Sequence, residues 1–314
     1  MGIASAILTI LGLGLFETIC SIDNAIINAE VLSTMSAKAR RWFLFWGLLF
    51  AVFIVRGFLP WLLVWAAAPE LGFIGSLTAT FSNDPRVMEA VHKASPFLLV
   101  GGGVFLVSLF LHWIFVEDKS YGLIGEKFMH KHGLWFYAIM SAFLTFMIWK
   151  CIHIDPLMAL GASIGSSAFF ITHGFKKNAE ENEKKLIKSH MSDWSKILYL
   201  EVIDATFSID GVIGAFAFTL SVPLILLGNG LGALVLRQLT VGNIDRIKKY
   251  TYLKNGAMYS ILILGIVMIL DSFGVHIPHW LSPVVTFGII GFFFYKSVRC
   301  NKKTKPAGQP VVSH

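Results

Sequence analysis

The amino-acid sequence predicts an all-α polytopic membrane protein of about nine transmembrane helices. Three observations point there. Of the 314 residues, 55% are hydrophobic and only 14% charged, whereas a soluble domain carries about 25% charge. Apolar runs of about 20 residues recur along the chain, the length that crosses a hydrocarbon core of about 30 Å. Finally, 21 of the 26 Lys and Arg fall on one side if the chain crosses nine times.

The first run, 3–33, has no basic start and no small-residue cleavage site, so it is expected to stay in the membrane rather than leave as a signal peptide. Further helices are expected over 42–66, 97–116, 134–151, 154–173, 197–220, 222–243, 255–272 and 280–297. Pro156, Pro223, Pro278 and Pro283 fall at or near their ends, where a missing N–H costs least. The longest external loop is expected at 67–96, with Asn83-Asp84-Pro85 as a helix-start signal. Residues 174–196 read as a charged, partly helical cytoplasmic connector lying along the anionic membrane face. Residues 299–314 read as a basic, disordered tail.

The basic residues set the orientation. Lys38, Arg40, Arg41, Lys119, Lys127, Lys131, the six lysines from Lys176 to Lys196, the group Arg246 to Lys254 and the tail from Lys296 share one side. Only Arg86, Lys93 and Lys150 reach the other. Positive residues stay cytoplasmic, which puts the N-terminus outside and the C-terminus inside a cell (inner) membrane. Topology thus explains the net charge of +7, and nucleic acid is not expected as a partner.

Two phrases carry the chemistry. Laid over each other, "FETICSIDNAII" (Phe16 to Ile27) and "IDATFSIDGVIG" (Ile203 to Gly214) align Glu17 with Asp204, Ser21 with Ser208 and Asp23 with Asp210. The following helices pair Arg56 with Arg237, and third helices open at Gly101-Gly102-Gly103 and Asn255-Gly256-Ala257. Five crossings lie between the two starts, so the second unit is inverted, as in secondary transporters. The expected organisation is a first three-helix repeat (1–116), two linking helices with the connector (117–196), the second repeat (197–272), a final helix (273–298) and the tail (299–314).

Four midplane acids, Glu17, Asp23, Asp204 and Asp210, would together cost on the order of 10 kcal/mol uncompensated. Protons, arginines or a cation must neutralise them. On a regular helix Glu17, Ser21 and Asn24 share a face, as do Asp204, Ser208 and Gly211, while the second acid of each phrase lies about 120° away. Either the helix unwinds at Ser-Ile-Asp and frees carbonyls as ligands, which we favour, or the acids serve two adjacent sites. Carboxylate, amide and hydroxyl oxygens suit Mn²⁺, Mg²⁺ or Ca²⁺. Around them, Arg56 and Arg237 are read as holding carboxylates or helix ends, Glu201 as an entrance group or a solvated helix start, and Asn229 as an amide ligand or a packing amide. His112 and His153 read as interfacial histidines, and the glycines of 101–103 and 228–232 as close helix packing.

At these residues the chain resembles the TerC-like integral membrane family, within the LysE-type exporter superfamily. The likeness rests on the Glu-x-x-x-Ser-x-Asp-Asn phrase and on "EVIDATFSIDGVIGAFAFT", "LLVGGGVFLVSLFLHWIF" and "GNGLGALVLRQLTV". Studied members are associated with manganese efflux and with resistance to metals or tellurium oxyanions. The resemblance implies a cation site of Glu17, Asp23, Asn24, Asp204 and Asp210. Gly211 replaces the Asn24-type residue, and Met258 stands where this branch carries a His. The expected function is a secondary exporter of a divalent cation, Mn²⁺ favoured, exchanging for H⁺ or Na⁺. No cofactor is expected. No phosphate loop or His-Glu-x-x-His motif accompanies the acids, so neither ATP use nor an enzyme is expected. The alternatives are export of a small organic solute such as an amino acid, or a metal-loading role toward secreted proteins. The expected partners are the bilayer, the cation and its counter-ion, and a homo-oligomer is compatible with this reading.

Overall fold

In lipid, backbone N–H and C=O groups must pair within their own segment, so apolar runs fold as helices. The computed structural model describes residues 2–78, 85–187, 192–242 and 249–304, and no strand occurs among them. In chain order the helices are α1 (Ile3–Cys20), α2 (Ile22–Ser33), α3 (Ala37–Trp42), α4 (Leu48–Phe50), α5 (Leu59–Ala67), α6 (Gly72–Thr78) and α7 (Pro85–Phe115). After these come α8 (Glu126–Lys131), α9 (Trp135–Ile152), α10 (Pro156–Ile187), α11 (Asp193–Ala215), α12 (Val222–Gly242), α13 (Leu253–Ser272) and α14 (Leu281–Thr304).

Three stretches differ from expectation. The run 3–33 breaks at Ser21, but only for one residue. Ser21 N–H donates to Glu17 O at 3.1 Å and Ala25 N–H to Ser21 O at 3.0 Å, so no open set of carbonyls results. The second phrase does not break, because α11 runs through it. The expected loop 67–96 is largely helical: a 3₁₀ turn (Pro69–Leu71) leads to α6, and α7 starts at Pro85. Asn83 and Asp84 lie outside the described residues, while Pro85 opens the helix as its preset φ allows. Pro96 sits within α7 without ending it, and upstream Glu89 and Lys93 pair at 2.8 Å one turn apart. The connector, expected to be partly helical, is helical to Ile187 as a continuation of α10. At the other end α14 carries the tail to Thr304, and residues 305–314 lie outside the described ones.

By length and composition, six of the described helices can cross a membrane, or seven if the bent pair Arg56–Ala66 and Pro69–Ser76 forms one span. Nine were expected. The shortfall lies at α11, whose interior carries Glu201, Asp204 and Asp210, and at α12, whose apolar stretch Val222–Gln238 is short. Of the two, α11 brings acids toward α1.

Glycine permits close crossings. A Cβ at Gly232 would lie 2.7 Å from Gly14 O, and one at Gly103 2.9 Å from Gly265 O. Small residues let α12 approach α1 and α13 approach α7 backbone to backbone. Trp113, Phe105, Leu106 and Met268 fill the interior around α7.

Candidate polar site between the acidic phrases

Glu17, near the C-terminal end of α1, is fully buried, and so is Arg56 at 1% exposure. Arg56 sits on a π-helical segment, Ala51–Phe58, reached through a second one, Phe43–Gly47. Such wider turns are frequent at functional positions. Here the guanidinium reaches both phrases. Its Nη2 and Nε donate to Glu17 Oε1 at 2.7 and 2.9 Å, and its Nη1 donates to Asp204 Oδ2 at 3.3 Å.

The remaining oxygens divide into satisfied and unsatisfied. Ser21 Oγ donates to Glu17 Oε1 at 2.9 Å, and Asn24 Nδ2 donates to Asp204 Oδ1 at 2.5 Å. Ser208 instead donates to the carbonyl of Asp204 at 2.6 Å. Glu17 Oε2 and Asn24 Oδ1 are buried without a hydrogen-bond partner. A Cβ at Gly211 would lie 2.2 Å from Glu17 Oε2, so only glycine lets α11 pack against that carboxylate.

A cavity of about 30 Å³ adjoins the triad, lined in part by Asn28, Phe43, Arg56, Asp204 and Arg237. That space holds about one water-sized occupant. Asn28 Oδ1 is another buried oxygen without a partner. Arg237 Nη2 donates to Phe43 O and its guanidinium lies 4.7 Å from the Phe43 ring centre. It makes no ion pair with Asp204 among those described. Glu201 Oε1 is buried without a partner near Gly47, where a Cβ would meet it at 2.2 Å. Asn229 is fully buried, with both side-chain polar atoms unpaired.

Of the expected ligands, the structure therefore joins Glu17, Ser21, Asn24 and Asp204 through Arg56. Asp23 lies in α2, and its side chain is outside the described residues. Asp210 stands apart from Asp204: Lys176 Nζ of α10 donates to its Oδ2, and its Oδ1 is buried without a partner. Among the described residues no three His, Cys, Asp or Glu converge as a ready metal cage, and Arg56 lies between the two acids.

Sequence reasoning missed Lys176 and Asn28. Lys176 follows His173 by three residues, so the two share a helix face, but it reads as the first charge of a connector. A second polar cluster was missed as well. Glu126, at 2% exposure, accepts from Gly122 N at 2.6 Å, Tyr259 Oη at 3.0 Å and Asn255 Nδ2 at 3.1 Å. Nearby Glu117 pairs with Lys254 at 3.2 Å and approaches His112 Nδ1 at 3.4 Å. Burial opposes ionisation of Glu117, yet interaction with His112 and Lys254 outweighs it and holds the carboxyl at about 2. Burial brings Lys119 down to about 8 despite the carboxylates around it.

A helical, multi-pass membrane protein with a buried acid–arginine–acid bridge between helices is the class these features define. The chain belongs to the DUF475 family, a family described as proteins of unknown function, whose model matches residues 22–304. Over 106 residues it is 29% identical to an uncharacterized membrane protein, YceF, of Bacillus subtilis, covering 34% of this chain and 39% of that one. Over 202 residues it is 22% identical to an uncharacterized membrane protein of Rickettsia bellii, covering 64% and 60%. The chain thus spans less than two thirds of the length of either relative. No solved structure matches it.

Proposed function

We propose that this protein is a secondary transporter that exports a divalent cation, Mn²⁺ favoured, and that Arg56 holds its site closed between Glu17 and Asp204. The observation that supports this most is the bridge itself, two buried carboxylates from separate helices on one guanidinium. A single positive charge leaves a two-acid site short of neutrality. Once Arg56 releases them, the two acids, with Asn24 Oδ1 and Asn28 Oδ1, offer oxygen donors to a doubly charged ion. Oxygen donors without thiolate or imidazole favour Mn²⁺, Mg²⁺ or Ca²⁺. The preference for manganese rests on the resemblance to TerC-like exporters.

The reading includes nine crossings of an inner membrane in two inverted units, N-terminus outside, with H⁺ or Na⁺ as counter-ion and no chemical conversion of the substrate. Residue pairs at matched positions support the inversion: Asn24 contacts Asp204, and Gly211 contacts Glu17. Reporter fusions at the two ends test the orientation, and both ends on one side would break it.

The function is tested by Mn²⁺ uptake into proteoliposomes holding the unaltered protein, Glu17→Gln or Asp204→Asn. Uptake should fall at least about tenfold in each variant, as loss of a charged ligand in a desolvated site implies. Uptake equal to the unaltered protein in both would sink the proposal. One observation favours export of a small organic acid instead: Arg56 and Arg237 line the same cavity. That reading requires Arg237→Gln to abolish transport while Glu17→Gln is mild.

A further inference from the structure

The interior holds a second ionisable cluster that the triad does not use. His112, at 8% exposure on α7, lies against His173 of α10, the ring centres 3.9 Å apart and the planes tilted by 52°. Phe136 of α9 meets the His112 ring edge-on at 5.3 Å, and Phe169 stacks on His173 at 5.8 Å. On the open side His112 Nδ1 lies 3.4 Å from Glu117, whose side chain is 30% exposed. Glu117 in turn pairs with Lys254 at 3.2 Å, and Lys254 is 41% exposed.

The charged surroundings of the two rings come from every side. Glu117, Asp118 and Lys119 follow α7. Glu126 and His130 belong to α8, the latter 3.6 Å from Asp118. Lys176 and Lys177 follow His173 on α10 and act on it electrostatically. Asp210 of α11 is held by Lys176, and Lys254 comes from α13. Two imidazolium ions at this separation, shielded by phenyl rings, would repel strongly. One proton shared by the pair is stabilised by the adjacent Glu117 carboxylate, which stays ionised across the physiological range.

The geometry points to the His112–His173 pair as the proton-binding site of this transporter, distinct from Glu17–Arg56–Asp204 and loaded from the face where Glu117 and Lys254 meet water. This rests on the transport function proposed above and names H⁺ as the counter-ion. Its link to the cation site is physical. His173, against His112, lies one turn from Lys176, whose charge acts on it, and Lys176 holds Asp210. The next residue, Gly211, packs on the Glu17 carboxylate.

The test uses full-length protein in liposomes containing a pH-sensitive dye, with Mn²⁺ as the probe. It records both Mn²⁺-driven proton movement and one-for-one Mn²⁺ exchange, which needs no net proton movement. In His112→Gln and His173→Gln, proton movement should fall about tenfold, the size of an ordinary coupling, while exchange persists. His153→Gln, whose exposed ring meets the carbonyl and the indole of Trp149, should leave both signals unchanged. Proton movement retained in both variants, or Mn²⁺ movement without protons in the unaltered protein, overturns the proton site and leaves the cation proposal standing. Loss of exchange together with proton movement in variants that still fold also overturns a separate site. No Mn²⁺ movement in the unaltered protein overturns both readings. Should either variant fail to assemble, ¹⁵N-histidine NMR of the unaltered protein between about pH 5 and 8 decides. The two rings taking up one proton between them supports the site, and two independent protonations overturn it.

Discussion

The two Ser-Ile-Asp phrases share their residue types but are held in different ways. In the first, Glu17 is gripped by Arg56 and Ser21, and α1 gives way to α2 at Ser21. In the second, Asp204 is held by Asn24 and, more loosely, by the same Arg56, on an unbroken α11. The matching arginine, Arg237, turns to the carbonyl of Phe43 instead. Equivalent letters at equivalent positions therefore do not make equivalent half-sites. What separates them is backbone geometry: π-turns swing Arg56 inward, whereas Arg237 lies on a regular helix.

The sharpest way to break this comparison is to remove Arg56. Glu17 and Asp204 would be left buried without their cation, and opening a buried pair from one side costs about 3–5 kcal/mol. Arg56→Gln should therefore lower the thermal midpoint of the solubilised protein more than any other single change at the site. Adding Glu17→Gln should recover most of the loss. If Arg56→Gln and Arg237→Gln destabilise equally, the asymmetry described here is wrong.

Acid offers a control outside both phrases. The folded state holds Glu117 at about 2, below its ordinary value of 4.5. Its contribution is fully present above about pH 4.5 and is lost as pH falls toward 2, a change on the order of 3 kcal/mol. Glu117→Gln should flatten the stability profile in that window, read as thermal midpoint against pH, and leave the Arg56 effect intact.

A smaller effect is expected at Gly211. An added Cβ would press on Glu17 Oε2 at 2.2 Å, and Arg56 keeps that side chain from swinging away. Gly211→Ala should cost about 1–3 kcal/mol as overpacking, whereas Asn24→Ala at the matching position only strips a hydrogen bond from Asp204. Equal losses in thermal unfolding would show that the two contacts are interchangeable. Smallest of all, Arg237→Gln removes one bond to a backbone carbonyl and a contact with the Phe43 ring, together worth about 1 kcal/mol.

Much of this arrangement could be read before folding. The apolar runs placed helices close to where they stand, since lipid leaves a segment few alternatives. The Glu17–Asp204 and Arg56–Arg237 alignments singled out the polar interior, because acids and arginines in apolar runs must find partners. Asp210 was legible as a buried acid, yet its partner Lys176 was not. A lysine at the end of an apolar helix looks the same whether it turns to water or back to an acid.

By itself, then, the sequence determined that this chain folds as membrane helices and that a small set of buried charges must meet. Hydropathy and the cost of an unpaired charge depend on residue type and spacing. Only the tertiary structure decided which charges meet. Glu17 and Asp204 share Arg56, Asp210 goes to Lys176, and His112 lies against His173, because those contacts depend on the packing of α11 against α1 and α10, the π-turns that aim Arg56 and the packing of α7 against α10. Such distances arise between segments far apart in the chain, where local spacing carries no information.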